Sequence, residues 1–283
     1  MKCIPLLVFI LTIQLGFGQH KSDLPFIEHL INKGYYQEVI HLTDKFSPIQ
    51  EQGRQDSLNY YRGWAFYSLK NLEQSTISLL NVGKESPFYM KSSFFAGYNQ
   101  IFLANYVEAR NIISQMNVRE EPNLSLVNFE LSGVDILQGN WQKAKEQLQL
   151  VNVNVATINQ QVTAMGQINK ELETHRSKSP LLAGVMSGIL PGSGKIYAGK
   201  TGAGIASMIA NIGFGLITWE NYRKSGIGNV KTVFFGSIFA ANYVSNIYGS
   251  VISVRVIEND YRDAKHNQIL FQLHIPLRNF FEQ

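Results

Sequence analysis

Cysteine is almost absent from this chain. Its 283 residues include one, Cys3. A disulfide needs a pair of cysteines, and a thiolate metal site needs several, so the chain by itself can form neither. Beyond Cys3 there is also no cysteine that could act as a catalytic nucleophile. We therefore expect stability to come from side-chain packing or from a lipid bilayer.

Charged side chains are also scarce. They make up 16% of the sequence, against roughly 25% in soluble domains, and the deficit is concentrated in residues 179–254. The formal net charge is +4, with no basic stripe. Nucleic-acid binding normally shows Lys and Arg clustered on one face, so nucleic acid is excluded as a partner.

Catalytic motifs are missing as well. The stretch from Gly192 to Lys195 is suggestive of a phosphate-binding loop, but that loop requires G-x-x-x-x-G-K-[ST]. Ile189 stands where the first Gly should be, and Ile196 where the Ser or Thr should be. None of the six histidines has the spacing of a metal-binding HExxH helix. We predict no enzymatic activity, no cofactor and no metal site.

Residues 1–18 have the layout of a secretory signal peptide. Lys2 gives a positive start, residues 3–17 are apolar and free of charge, and small Gly16 and Gly18 stand at positions −3 and −1 of a cleavage site. The alternative is an uncleaved anchor helix. The apolar run is short for the roughly 20 residues that a span needs, so we predict cleavage and export.

A pattern of about 35 residues then recurs four times. Each copy has a large apolar anchor residue followed three places later by a small or β-branched one, and the anchors are Tyr36, Leu72, Tyr106 and Trp141, spaced by 36, 34 and 35 residues. Small residues stand nine places before the last three anchors, at Gly63, Gly97 and Ser132. Aliphatic residues stand seven places after them, at Leu79, Ile113 and Leu148. We predict helix pairs in which the small residue admits the crossing helix and the anchor begins that second helix.

These positions, together with Ala109 and Ala144, resemble the tetratricopeptide repeat over about residues 23–152. The first copy departs from the pattern, since Ile27 stands where the small residue should be. The resemblance implies a helix-pair solenoid whose concave groove binds a protein or peptide partner. The alternative is an irregular helical bundle. An apolar stripe over residues 155–176 predicts one further helix that closes the stack.

The last third of the chain contains three apolar segments. Residues 202–219 and 232–254 carry no charge, and each is long enough to cross a hydrocarbon core of about 30 Å. We predict a transmembrane helical hairpin, with residues 181–190 as an interfacial or re-entrant helix. The alternatives are three spans, or a buried hairpin in a soluble protein.

Small residues recur every fourth place in both predicted spans. They are Ala203, Ser207, Asn211 and Gly215 in the first, and Ser237, Ala241, Ser245 and Gly249 in the second. Such stripes allow helix backbones to approach closely in lipid, within one chain or in an oligomer formed through these faces. A competing hypothesis is that Asn211, Asn242 and Asn246 line a polar transport path.

A turn rich in glycine precedes the predicted hairpin. Its motif residues are Pro191, Gly192, Gly194, Tyr197 and Gly199. With the S-P-x-x-A-G start at residues 179–184, the turn resembles an uncharacterised glycine-rich membrane domain of Bacteroidetes-type proteins, over about residues 179–257. In that family the domain often follows a signal peptide and tetratricopeptide repeats, and it brings no established activity.

The sequence therefore predicts an all-α protein: a tetratricopeptide-like solenoid followed by a transmembrane helical hairpin. The predicted domains are a signal peptide (1–18), a repeat domain (19–178), a membrane domain (179–257) and a tail (258–283). Residues 268–277 of the tail partly alternate, which is compatible with a strand. We expect a non-enzymatic scaffold at the inner membrane, in contact with lipid and with its repeats facing the periplasm. The alternative is an accessory component of envelope transport or assembly.

Overall fold

The computed structural model describes residues 23–46, 51–152, 154–155 and 158–281; the predicted signal peptide lies outside them. Every regular element in these ranges is a helix, which confirms the all-α class. The helices are α1 Asp23–Lys33, α2 Tyr36–Phe46, α3 Gln52–Ser68, α4 Leu72–Leu80, α5 Tyr89–Phe102, α6 Tyr106–Gln115, α7 Asn123–Leu137, α8 Trp141–Gln149, α9 Asn159–Thr174, α10 Pro180–Ile189, α11 Ser193–Ala198, α12 Thr201–Ser225 and α13 Val230–Phe281.

The chain divides into two compact units. The first comprises the described residues up to Glu173 together with residues 269–281, and the second is Thr174–Gln268. The first division falls close to the predicted boundary between residues 178 and 179. Of the residues predicted as the tail, 258–268 belong to the second unit and 269–281 to the first.

The first eight helices form four packed pairs in the first unit. Each anchor is the first residue of the second helix of its pair, as predicted: α2, α4, α6 and α8 begin at Tyr36, Leu72, Tyr106 and Trp141. The residue two places before each anchor has a positive φ, at Gly34, Lys70, Ala104 and Gly139. The same left-handed turn therefore joins the helices of every pair.

The predicted close crossings are present in the second and third pairs. A Cβ atom added at Gly63 would lie 2.6 Å from Leu79 Cγ, and one at Gly97 would lie 2.8 Å from Ile113 Cγ1. Glycine is needed at both places because the aliphatic side chain of the second helix occupies that space. The small residue nine places before the anchor is thus in contact with the aliphatic residue seven places after it.

One apolar core runs through the second to fourth pairs and continues to α9. Its largest fully buried side chains include Phe94, Phe95 and Phe129. The stripe predicted for residues 155–176 faces this core, since Ile158 and Met165 are fully buried and α9 covers most of that range. A smaller cluster around Ile27 forms the core of the first pair.

The second unit contains α10 to α12 and the first part of α13. Among the described residues, α12 is the one helix long and apolar enough to cross a membrane, with a mean hydropathy of 1.4 in its best window. The second predicted span, residues 232–254, lies within α13, where Asn242, Asn246 and several hydroxyl side chains lower the hydropathy. α10 has ten residues, about 15 Å of helix, and is too short to span.

The strand suggested for residues 268–277 is wrong, because α13 continues as a helix of 52 residues to Phe281. The same apolar residues also fit helical spacing, and Ile269, Leu273 and Leu277 are all buried. Pro276 lies within the helix and leaves one carbonyl without its usual donor. Burial of this face therefore outweighs both the alternation and the proline.

Candidate functional site

The second, third and fourth helix pairs begin with α3, α5 and α7, and these three helices share one face, here called the groove. Residues 269–281 of α13, here called the tail segment, lie against this face. The side chain of Leu273 fills the space left by Gly133 on α7, where an added Cβ would lie 2.6 Å from Leu273 Cδ2. Phe281 packs beside Phe94 and Phe95 of α5, with ring centroids 5.7 and 6.5 Å apart. This face of the first helices is therefore covered by a later segment of the same chain.

Polar contacts accompany this apolar packing. His274 Nε2 and the Tyr67 hydroxyl form a hydrogen bond of 2.6 Å, and the imidazole stacks on Tyr98 with centroids 5.1 Å apart. The Tyr98 hydroxyl donates to the Leu270 carbonyl at 3.4 Å. One histidine of the tail segment is thus held between aromatic side chains of α3 and α5.

The C-terminal end of the tail segment meets a cation. Lys91 Nζ on α5 donates to the Phe281 carbonyl at 2.9 Å, and the same ammonium lies 4.6 Å from the centroid of the Trp64 ring. The last carbonyls of a helix have no partner within the helix and carry partial negative charge. Lys91 therefore supplies both a hydrogen-bond donor and a positive charge to the C-terminal end of this helix.

A buried carboxyl group lies one turn before Gly133 on α7. Glu130 is fully buried, and neither of its carboxyl oxygens has a hydrogen-bond partner among the described residues. Burial raises the pKa of Glu130 well above its ordinary value. Burial, and then the charge of Glu130, raise the pKa of Tyr98.

Sequence reasoning missed His274, Lys91 and Glu130 as parts of one site. The available signal was the i, i+4, i+8 spacing of Ile269, Leu273 and Leu277, which marks an amphipathic helix. Partial alternation in the same residues concealed it.

The glycine-rich turn holds α10, α11 and α12 in close contact within the second unit. Gly192 has a φ of +93°, and a Cβ added there would lie 2.1 Å from the Gly204 carbonyl oxygen. One added at Gly194 would lie 1.9 Å from the Ala183 oxygen. Both approaches are possible only without a side chain.

Hydrogen bonds complete this turn. Ser187 Oγ accepts from the Gly194 amide at 2.9 Å and shares a bond of 2.7 Å with Ser250 Oγ of α13. The Tyr197 hydroxyl accepts from the Ser179 amide at 3.1 Å. The motif glycines and tyrosine therefore have structural roles; Pro191 precedes Gly192, and Gly199 ends α11 with a φ of +100°.

The segment before α10 is fixed to α13 through Glu258. His175 Nε2 lies 2.8 Å from one carboxylate oxygen, and the Lys178 amide donates to the other at 3.0 Å. Desolvation raises the pKa of Glu258, but hydrogen bonds from His175, Lys178 and Ser177 outweigh it and leave the pKa lowered. The imidazole also stacks on Tyr261, with centroids 4.1 Å apart.

The predicted small-residue stripes are used only in part within the chain. Asn211 is buried, Ser207 and Gly249 are half-buried, and half-buried Gly215 lies beside Phe239. Four members instead lie on exposed faces: Ala203, Ser237, Ala241 and Ser245. The structure brings the first group into helix contacts and leaves the second group outside them.

The three asparagines are not hydrogen-bonded to one another. Asn211 and Asn242 each donate to the carbonyl four residues earlier in their own helix, and Asn246 lies 3.5 Å from the Ser187 carbonyl. The side-chain oxygens of Asn211 and Asn246 have no partner in the described part of the chain. A cavity of about 590 Å³ lies between α12 and α13, but it is lined by Trp219, Tyr222 and other residues near the connecting loop.

Comparison of the chain with protein-family models, with curated proteins and with solved structures gave no match. Within the described ranges, no group of three or more His, Cys, Asp and Glu side chains is placed to hold a metal ion.

Proposed function

We propose that this protein is a non-enzymatic scaffold held in a bacterial membrane, with a tetratricopeptide-like solenoid that binds a protein partner. The observation that carries the proposal is the apolar surface of α12. Only 11% of its most apolar window is buried, and its exposed side chains include Ile205, Ile209, Ile212, Leu216 and Trp219. A continuous apolar surface of this kind marks a membrane or protein contact.

The tail segment limits how the chain crosses the membrane. It packs on α3, α5 and α7 in the first unit, so the residues before Thr174 and those after Gln268 lie on the same side. In an inserted chain this packing favours two crossings over one or three. It therefore supports a hairpin of α12 and residues 232–254.

Charge and the N-terminal sequence support an orientation. Arg223, Lys224 and Lys231 flank the loop between α12 and α13, and basic loops favour the cytoplasmic side. The predicted signal peptide directs the solenoid to the opposite side. The proposal therefore puts the solenoid and the tail segment in the periplasm at the inner membrane, with the loop in the cytoplasm.

A second candidate is an accessory component of envelope transport or assembly. It is favoured by the buried side-chain oxygens of Asn211 and Asn246, which have no hydrogen-bond partner among the residues that the structure describes, because a buried polar atom without a partner is costly. A permeating polar solute would supply those hydrogen bonds. A variant that carries both Asn211→Ala and Asn246→Ala tests this candidate. If cells with this variant grow like the wild type under conditions in which cells lacking the protein show a defect, the result argues against transport.

Accessibility of single cysteines tests the topology. In a Cys3→Ser background, Glu108→Cys probes the solenoid, Phe271→Cys the tail segment and Gly228→Cys the loop. All three residues are exposed in the structure. A membrane-impermeant maleimide applied to spheroplasts should label the first two and spare the third. Labelling of all three, or release of the protein by alkaline carbonate, would contradict membrane insertion.

A further inference from the structure

The tail segment meets the groove along one helical face. Its buried aliphatic residues fall on one side of a helix: Ile269, Leu270, Leu273 and Leu277. Phe271, on the other face, is 63% exposed. In an extended peptide neighbouring residues would point to opposite sides, so Ile269 and Leu270 could not both be buried in this way. The groove is therefore shaped for a helix.

The groove also sets the direction of that helix. The Lys91 ammonium faces the carbonyl end, at Phe281. A helix lying in the opposite direction would present its N-terminal end, which carries partial positive charge, to the same cation. Gly133 adds a steric requirement, because the absence of a side chain there makes room for Leu273.

We propose that the groove is a receptor for an amphipathic helix whose resident ligand is the chain's own tail segment, so that a partner helix binds only after the tail segment leaves. The partner has aliphatic residues at four-residue spacing on one face and an aromatic residue near its C-terminal end. This inference rests on the proposed function, because it takes the groove as the surface that binds a partner.

The tail segment competes with any free helix for the groove, and it has an advantage because it is covalently attached to the chain. A tethered ligand acts at an effective concentration on the order of millimolar, so it outcompetes a free helix of the same sequence. A free peptide should bind the chain at least about ten-fold more tightly when the tail segment cannot dock.

A fluorescent peptide copying residues 265–281 tests this with the full chain in detergent. Leu273→Asp places a carboxylate against Gly133 and should release the tail segment, whereas Phe271→Asp changes an exposed position of the same segment and serves as the control. We expect the peptide to bind the Leu273→Asp protein at least about ten-fold more tightly than the wild type or the control. Equal affinity for all three proteins would overturn the proposal.

A cysteine pair tests occupancy independently of that variant's folding. In a Cys3→Ser background, Gly133→Cys with Leu273→Cys should oxidise to a crosslinked monomer, while Leu273→Cys with Glu108→Cys, an exposed position of α6, should not. A peptide in which Ala replaces the residue matching Leu273 leaves room for the cysteine introduced at Gly133; the crosslinked protein should not bind this peptide, and the reduced protein should. Crosslinked dimers would show that the tail of a second copy fills the groove, and no crosslink would show that the groove is empty; either result overturns the proposal.

Failure of the proposed function gives a different result. If the crosslink forms in the monomer and the peptide still binds, the tail segment occupies the groove but partners bind elsewhere, which overturns the groove as the binding surface. Membrane insertion is judged separately, by maleimide labelling of Gly228→Cys.

Discussion

Replacing Glu130 by Gln should change how the stability of the solenoid depends on pH. Burial raises the pKa of Glu130 above its ordinary value of 4.5, so folding keeps this carboxyl protonated. Below the unfolded-state pKa the side chain is neutral in both states and adds no pH dependence. Between the unfolded and folded pKa values, each pH unit lowers the free energy of unfolding by about 1.4 kcal/mol.

Gln has nearly the same shape as Glu and does not titrate, so the Glu130→Gln protein should lack this slope. The wild type should therefore lose about 1.4 kcal/mol per pH unit relative to the variant as the pH rises above 4.5. A pH-independent offset of about 1–3 kcal/mol is expected as well, because the buried amide gains donors without partners. The slope and the offset can be separated because only the slope varies with pH.

Urea unfolding of the detergent-solubilised full chain, from about pH 4 to about pH 8, measures this slope. A Trp219→Phe background leaves Trp64 and Trp141, both in the first unit, as fluorescence reporters. Glu108→Gln, at an exposed position of α6, is the matched control and should keep the wild-type slope. Parallel pH profiles for the wild type and Glu130→Gln would refute the argument that Glu130 is buried and protonated.

Three further changes test the packing. Ala104→Gly should raise the free energy of unfolding by about 0.5–1 kcal/mol, because Ala104 has a φ of +60° that glycine adopts without strain; a fall in urea midpoint would count against it. Gly63→Val should destabilise by about 1–3 kcal/mol, and adding Leu79→Ala should recover part of the loss if the two side chains clash. Gly194→Ala should abolish correct folding of the second unit, seen as protease sensitivity, because no shift of a flexible side chain relieves a contact with a backbone carbonyl; Ser193→Ala is its control.

Local regularities in the sequence were sufficient to predict much of the first unit. The anchors and their period correctly placed the starts of four helices, because a large residue at the start of a second helix recurs with the same turn. Gly63 and Leu79 were both identified as repeat positions, but the contact between them within one helix pair is seen only in the structure. The turn glycines were also assigned a structural role, although their contacts with Ala183 and Gly204 could not be foreseen.

The occupied groove could not be predicted in the same way. His274 lies 207 residues from Tyr67, and no period relates the two. Pro276 and the partial alternation argued against a helix, and only burial against α5 and α7 reverses that preference. The protonated state of Glu130 likewise depends on neighbours that a single sequence does not identify.

The tail segment is synthesised after the four helix pairs, because it follows them in the sequence. A growing chain can therefore form its four helix pairs while Phe94, Phe95 and Gly133 are still uncovered. If α12 inserts without residues 232–254, the tail segment ends on the wrong side of the membrane and the groove stays open. Under the proposed topology, the groove closes only when the hairpin has inserted completely. A chain with a topological error therefore exposes an apolar surface that proteases and chaperones of the periplasm can recognise.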